Sequence, residues 1–329
     1  MKVGIVIITY NNEKHIQDTI QSVVNQQYLN WVCVMVDNGS TDRTFSIMEE
    51  HCQNDQRFVS FKKTNEGPAA GRNYGFSHLP NNIEYIHFLD GDDCIKPEYI
   101  STMVEYLENH PKVGLVACQF DEIDNDGNYI GRGHRSRFAP SKFGFPHDLP
   151  LSVVPTPFVS FFSSTGVGPF GVYRRSVFVK TNGYELKSQE DTDMFCKMSL
   201  LAEVHYLPKY LYVKRRTGNN LAHQESYQAT HGKFREKWDY YKGENENQNK
   251  LIEDSLYYYY VKHVPLRTLK VATKAFKEFL DTFRFHSLKW SLLCLRDGIT
   301  DILFKKSYRG VMKNRQALFD STGDEKDLV

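Results

Sequence analysis

The chain has little that would commit it to nucleic acid, to a membrane span or to an oxidising compartment. Its 41 Lys and Arg nearly cancel its 40 Asp and Glu, leaving a formal charge of +1. Nucleic-acid binding needs a basic face, and the whole-chain balance gives no sign of one. The six cysteines, Cys33, Cys52, Cys94, Cys118, Cys196 and Cys294, contain no CxxC pair. That scatter argues against a zinc site or a disulfide framework and favours a reducing compartment. No run of residues is apolar for long enough to span a bilayer. The start couples one cation to a short apolar run and leads into Thr9-Tyr10-Asn11-Asn12 instead of a small-residue cleavage site, so no signal peptide is expected. No GxGxxG follows the first apolar run, which argues against a dinucleotide-binding dehydrogenase. These absences predict a cytoplasmic protein.

What is present is the material of a globular enzyme. The 329 residues are too many for one simple core and suit two units. Aromatic residues make up 14%, a share used by sugar sites and interfaces but also by ordinary cores.

Apolar runs and helical periodicities alternate along the first half. Residues 3–8 read as a central parallel strand, and Ile16, Ile20, Val23 and Val24 as one face of a helix over 12–27. A second strand over 31–36 ends in Asp37, and Ser40 or Thr41 is suited to capping the helix that follows. A third covers 58–61. The small-residue stretch Gly67-Pro68-Ala69-Ala70-Gly71-Arg72-Asn73-Tyr74-Gly75 allows close backbone approach around its single cation. A strand over 85–89 then runs into Asp90-Gly91-Asp92-Asp93. Pro97 suits the first turn of a helix to about 109, and residues 113–120 form another strand, with a turn at 124–127. Alternation of this kind, with acids at strand ends, is the α/β pattern of a mostly parallel sheet flanked by helices.

Two acidic centres carry the chemistry. Three carboxylates within four positions repel one another unless a cation lies among them, and hard oxygen ligands suit Mg²⁺ or Mn²⁺. Ligands in open α/β sheets bind beyond the carboxyl ends of strands, where this triplet falls. A solvated Asp-rich turn would use the same residues. The second centre, Glu190-Asp191-Thr192-Asp193, stands where a helix is expected to begin. Acids there favour the helix dipole, which is explanation enough for their presence, but such a carboxylate is also placed to face a cleft. Two short strands are expected over 204–207 and 210–213. Beyond them, Lys214-Arg215-Arg216 is a candidate diphosphate clamp or plain surface charge. Residues 131–168 are expected to form a long loop of the kind used as a substrate lid.

From about residue 225 the strand signals fade. Cations such as Lys262, Arg267, Lys270 and Lys274 alternate with aromatic residues, and acids are sparse. Basic amphipathic helices of this type bind anionic membrane surfaces. A helical subdomain with a basic outer face, or a homodimer interface, has the same appearance.

Five segments in order resemble family 2 glycosyltransferases of the GT-A fold: Val6-Ile7-Ile8-Thr9-Tyr10-Asn11, Val36-Asp37-Asn38-Gly39-Ser40-Thr41-Asp42, Gly71-Arg72-Asn73-Tyr74-Gly75, Leu89-Asp90-Gly91-Asp92-Asp93 and Glu190-Asp191-Thr192-Asp193. The resemblance implies a GT-A domain over 1–224, followed by a helical region over 225–329 that lies outside it. It further implies inverting transfer from a nucleotide-activated sugar, a UDP-sugar above others, to a glycan or lipid-linked acceptor in polysaccharide or glycoconjugate biosynthesis. Thr9, Tyr10, Asn11, Asp37 and Asn38 would hold the nucleoside, with Arg72 beside Asp37 and the base. Asp92 and Asp93 would manage the ribose and the divalent metal, and Asp90 would complete the motif; outside the resemblance, Arg216 of the basic cluster is the candidate diphosphate contact. Asp191 would be the general base, with Glu190 supporting it or touching the acceptor. The family more often carries a second acid where Asn38 stands, and an amide there still hydrogen-bonds a base edge. Joined to the basic tail, this reading puts the enzyme at the inner face of the membrane as a peripheral protein.

Two other readings remain at this level. A catalytically silent nucleotide-sugar or polysaccharide-binding protein would be expected to have lost one of the acidic centres, and both are intact. A sugar nucleotidyltransferase would need a Gly-rich basic loop after the first strand, which Thr9-Tyr10-Asn11-Asn12 does not supply.

Overall fold

The structure, a computed structural model, describes residues 2–133, 171–185 and 190–217, together with Gly243, Glu246, Asn249, Ile252 and Leu280. Two compact units divide the chain, Met1–Val154 with Ser160–Asp239, and Pro155–Val159 with Tyr240–Val329. All that follows concerns the first. The expected lid over 131–168, the boundary near 225 and the basic helices lie wholly or almost wholly outside the described residues.

The elements run β1 (Val3–Thr9), α1 (Ile16–Val24), β2 (Trp31–Asp37), α2 (Thr44–Asn54), β3 (Phe58–Lys62), α3 (Pro68–Ser77), β4 (Tyr85–Asp90), β5 (Cys94–Ile95), α4 (Tyr99–Asn109), β6 (Val113–Ile123), β7 (Tyr129–Gly133), β8 (Gly171–Arg174), α5 (Arg175–Phe178), α6 (Glu190–Leu201) and β9 (Glu203–Arg215). The strands form one sheet in the order β3-β2-β1-β4-β8-β6-β9-β5, with β7 paired to β6. The strands β3, β2, β1 and β4 are parallel, as is the β6–β9 pair. Between these blocks β8 runs antiparallel to both neighbours. The fold is the expected α/β architecture of the GT-A type, a sheet flanked by helices.

Alternation along β1 explains the layering. Val3, Ile5 and Ile7 join a core with Ile16 and Ile20 of α1, Met48 of α2 and Met103 of α4. The other face takes α3 at close range. A Cβ on Gly75 would lie 2.3 Å from Val6 Cγ1, so only glycine lets α3 settle there. Gly67 precedes α3 with φ of 92°, and Pro68 fills the first turn. This is the close approach expected of the small-residue stretch, and it brings Arg72 down onto the sheet.

The two short strands expected near 204–213 are one strand, β9. Its pairing with β6 slips around Cys118 and Gln119, opposite Leu207 and Tyr210. Pro208 stands at the slip, where a residue without an N–H cannot continue the ladder.

Candidate active site

The central strands end level with one another. Thr9 is in register with Asp37, and Ile8 with Asp90. This brings the first, second and fourth motifs to one sheet edge. The Asn38 N–H donates to Thr9 O at 2.8 Å. Asp37 is fully buried and accepts the Ser40 N–H at 3.1 Å as well as the Ser40 hydroxyl, with Lys62 Nζ 3.8 Å away. Asn11 ties the first two loops together: its N–H donates to Ser40 Oγ at 2.8 Å, and its Oδ1 accepts the Thr41 N–H at 2.9 Å. Its φ of 51° is a left-handed conformation that Asn tolerates. Asn38 Nδ2 donates to Gly67 O at 2.9 Å, while Asn38 Oδ1 is buried without a hydrogen bond. Tyr10 is exposed at this edge.

The acidic triplet separates into members with different surroundings. Gly91 donates to Ile8 O at 2.8 Å, and a Cβ on it would meet Thr9 at 2.5 Å. The turn is therefore pressed against β1. Asp90 is one-third exposed and holds Arg72 Nη2 at 2.9 Å. Asp92 is half-buried, and burial followed by the charge of Asp90 pushes its carboxyl up to about 6. Asp93, expected among the metal ligands, has both oxygens engaged by protein donors. Its Oδ2 accepts the Tyr212 hydroxyl at 2.8 Å and its Oδ1 the Arg215 N–H at 2.8 Å, in a buried position. Burial, then Asp92 and Asp90, hold its carboxyl well above the usual range.

The second acidic centre does open a helix, as expected. Glu190 and Asp191 are the first residues of α6, and Arg72 reaches both. Its Nη1 lies 2.9 Å from Glu190 Oε1 and 3.4 Å from Asp191 Oδ1. Burial pushes the Asp191 carboxyl up to about 8, with Glu190 and Asp90 adding to the effect and Arg72 and Lys214 opposing it. Asp191 Oδ1 makes no hydrogen bond. A carboxyl that holds its proton this firmly is tuned toward acid–base work near neutrality. Arg72, expected beside Asp37, instead joins the two acidic centres.

The basic cluster also divides. Arg215 is buried and braces the triplet, donating from Nε to Asp92 O at 3.0 Å and from Nη2 to Asp18 Oδ2 at 2.9 Å. Arg216, the expected diphosphate contact, pairs with Glu122 and is 41% exposed. The charge of Lys214 acts on Asp92, Asp93 and Asp191, each of which it pulls downward. Strand alternation separates Arg215 from Lys214 once β9 is known to reach Arg215. Nothing local in the sequence tells which face meets the carboxylates.

Among the described residues no group of three or more His, Cys, Asp or Glu is arranged to hold a metal ion unaided. The donor set still fits a divalent cation. Asp92 is held beside the like charge of Asp90, and Mg²⁺ commonly binds through one or two carboxylates while substrate phosphates complete its shell.

A model of glycosyl transferase family 2 matches residues 4–180. An uncharacterized glycosyltransferase of Rickettsia felis is 32% identical over 142 residues, 43% of this chain and 23% of the relative. Glycosyltransferase GlyA of Streptococcus pneumoniae is 33% identical over 128 residues, 39% of this chain and 18% of the relative. The chain spans about a quarter of the length of the first curated relatives it matches. Among solved structures, S. aureus TarS 1-349 in complex with UDP-GlcNAc superposes with a TM-score of 0.61 at 19% identity, covering 91% of this chain and 81% of that one. The mannosyltransferase PcManGT from Pyrobaculum calidifontis, in complex with GDP-Man and Mn²⁺, gives 0.56 at 16%, covering 93% and 88%. At those identities the superpositions establish the shared fold.

Proposed function

Because this chain belongs to glycosyl transferase family 2, we propose that it moves a sugar from a nucleoside-diphosphate donor, a UDP-sugar, to a hydroxyl of a glycan or lipid-linked acceptor with inversion. The observation that carries the reading is Asp191, a half-buried carboxyl raised to about 8 at the start of α6 and joined through Arg72 to the strand end that bears Asp90. The UDP-GlcNAc in TarS and the GDP-Man and Mn²⁺ in PcManGT support a nucleotide-sugar donor and a divalent metal.

In this reading Thr9, Asp37 and Asn38 hold the nucleoside, and the unpaired Asn38 Oδ1 accepts from the base. Asp92 holds the cation, and Asp93 fixes the triplet from behind. A bound metal would offset the charge that grows on the leaving diphosphate. Lys214 adds positive charge on the same side. Asp191, in its ionised form, takes the proton of the acceptor hydroxyl as that oxygen attacks. Placing the base apart from the diphosphate motif suits attack opposite the leaving group.

No helix among the described residues is long and apolar enough to cross a membrane. The cations beyond residue 260 support peripheral attachment at an anionic cytoplasmic leaflet, which would suit a lipid-linked acceptor.

The test is a panel of UDP-, GDP-, CDP- and dTDP-sugars incubated with the protein and Mn²⁺ or Mg²⁺. Release of a nucleoside diphosphate from a UDP-sugar, lost in Asp191→Asn, is the expected result. Failure to bind or cleave any donor on the panel would leave a protein that only shares the fold.

A further inference from the structure

Arg72 has surroundings that do not suit the reading of a nucleobase. Only 2% of its side chain is exposed. Nη2 is held by Asp90 at 2.9 Å, and Nη1 is divided between Glu190 at 2.9 Å and Asp191 at 3.4 Å. The Tyr184 ring lies 5.3 Å from the guanidinium carbon. Tyr184 is itself pinned by the residue after Arg72: Asn73 Nδ2 donates to Tyr184 O at 2.6 Å, and the Tyr184 N–H donates to Asn73 Oδ1 at 2.9 Å. The approach is possible because Gly71 and Gly75 let α3 lie close on β1.

We propose that Arg72 is a positioning residue that fixes the catalytic-base side of the site, Glu190 and Asp191, against the donor side at Asp90. The proposal rests on the glycosyl-transfer reading and replaces a nucleoside-binding role for this residue. A guanidinium presents its donors in a rigid planar fork, so three carboxylates on two elements far apart in sequence are kept at fixed separations. A lysine would supply the charge at a single point and lose the fork. The same ion sets the charge balance at Asp191. Arg72 from α3 and Lys214 from β9 favour its ionised form, Glu190 on its own helix and Asp90 from β4 oppose it, and Tyr173 and Tyr184 are near enough to feel its charge. Arg72 thus links where the donor binds to where the proton goes.

Arg72→Lys and Glu190→Gln in the full-length protein test this, each with four readouts: nucleoside-diphosphate affinity by calorimetry, kcat, donor KM, and the pH profile of kcat/KM. Arg72→Lys is expected to lower kcat by about 10²-fold, the cost of misplacing a catalytic group, with nucleoside-diphosphate affinity and donor KM changed less than about threefold. Its acidic limb should move to higher pH, because a cation that favours ionised Asp191 has been drawn back. Glu190→Gln should move the same limb to lower pH, because an opposing charge is gone. A nucleoside-diphosphate affinity lowered about tenfold or more in Arg72→Lys would return the residue to base recognition and overturn the proposal. Loss of thermal stability with both limbs unmoved would overturn it in favour of a packing role. Should Arg72→Lys fail to fold, the Glu190→Gln limb decides alone. Wild-type protein that releases no nucleoside diphosphate from any donor would instead defeat the transfer reading itself.

Discussion

Tyr212 on β9 donates its hydroxyl to Asp93 at 2.8 Å, closing the last strand of the sheet onto the turn that ends the fourth. The Arg215 N–H takes the other oxygen, so Asp93 acts as a latch between segments about 120 residues apart. Metal-binding residues usually present a free oxygen to the cleft, whereas this one gives both to the interior. Asp93→Ala should therefore act first on stability. Each buried donor left unsatisfied costs about 1–3 kcal/mol. Denaturant unfolding should show a lower midpoint for Asp93→Ala and a smaller fall for Tyr212→Phe, which removes one hydrogen bond and leaves the carboxylate. Unchanged midpoints with lost metal binding would restore Asp93 to the metal.

Asp191→Asn should trade activity for stability. Turnover is expected to fall about 10²-fold or more with nucleoside-diphosphate binding retained, the scale of general-base catalysis. The native carboxyl stands at about 8, against about 3.9 for an unfolded Asp. A raised native pKa contributes stability fully below the unfolded value, and that contribution drains away as pH rises through the native one. The asparagine variant has no such loss. Its unfolding midpoint should pull ahead of wild type between pH 4 and pH 8, and a gap that does not widen across that window would contradict the assignment.

Metal binding should weaken as pH falls. Asp92 is pushed up to about 6, so protons compete with a cation below that pH. Titrating Mn²⁺ into the protein with nucleoside diphosphate at pH 5.5 and 7.5 should give the tighter binding at 7.5. Asp92→Asn should raise the half-saturating metal concentration and remove most of that pH dependence. Equal binding by the variant and wild type at both pH values would place the cation elsewhere.

The full-length chain should sediment with vesicles containing anionic lipid and not with neutral ones. Each basic residue near such a leaflet contributes about 1 kcal/mol, and the attraction is screened within about 8 Å at physiological salt. Binding should therefore fall steeply between 50 and 300 mM salt, roughly the range over which screening grows. A protein that stays in the supernatant at low salt has no such surface.

What could be read from the sequence was local and periodic. The apolar run of β1 marks a central strand, and its end marks where Thr9 must emerge. The same logic places Asp37 and Asp90 at strand ends, because a β-rich run that stops at a polar residue leaves that residue at the carboxyl edge. Glu190 opens a helix where acids favour the dipole. The order of these pieces carried the family likeness. Tertiary structure alone decided which of these charges meet. Arg72 is 118 positions from Glu190, and Asp93 is 119 from Tyr212. No periodicity spans such separations, because they are set by how β8 and β9 enter the sheet and by how closely Gly75 lets α3 approach β1. The same holds for Arg215 and Arg216, adjacent in the chain and opposite in fate. The strand ends between them, and only the sheet's closure onto β5 says which one is buried under the carboxylates.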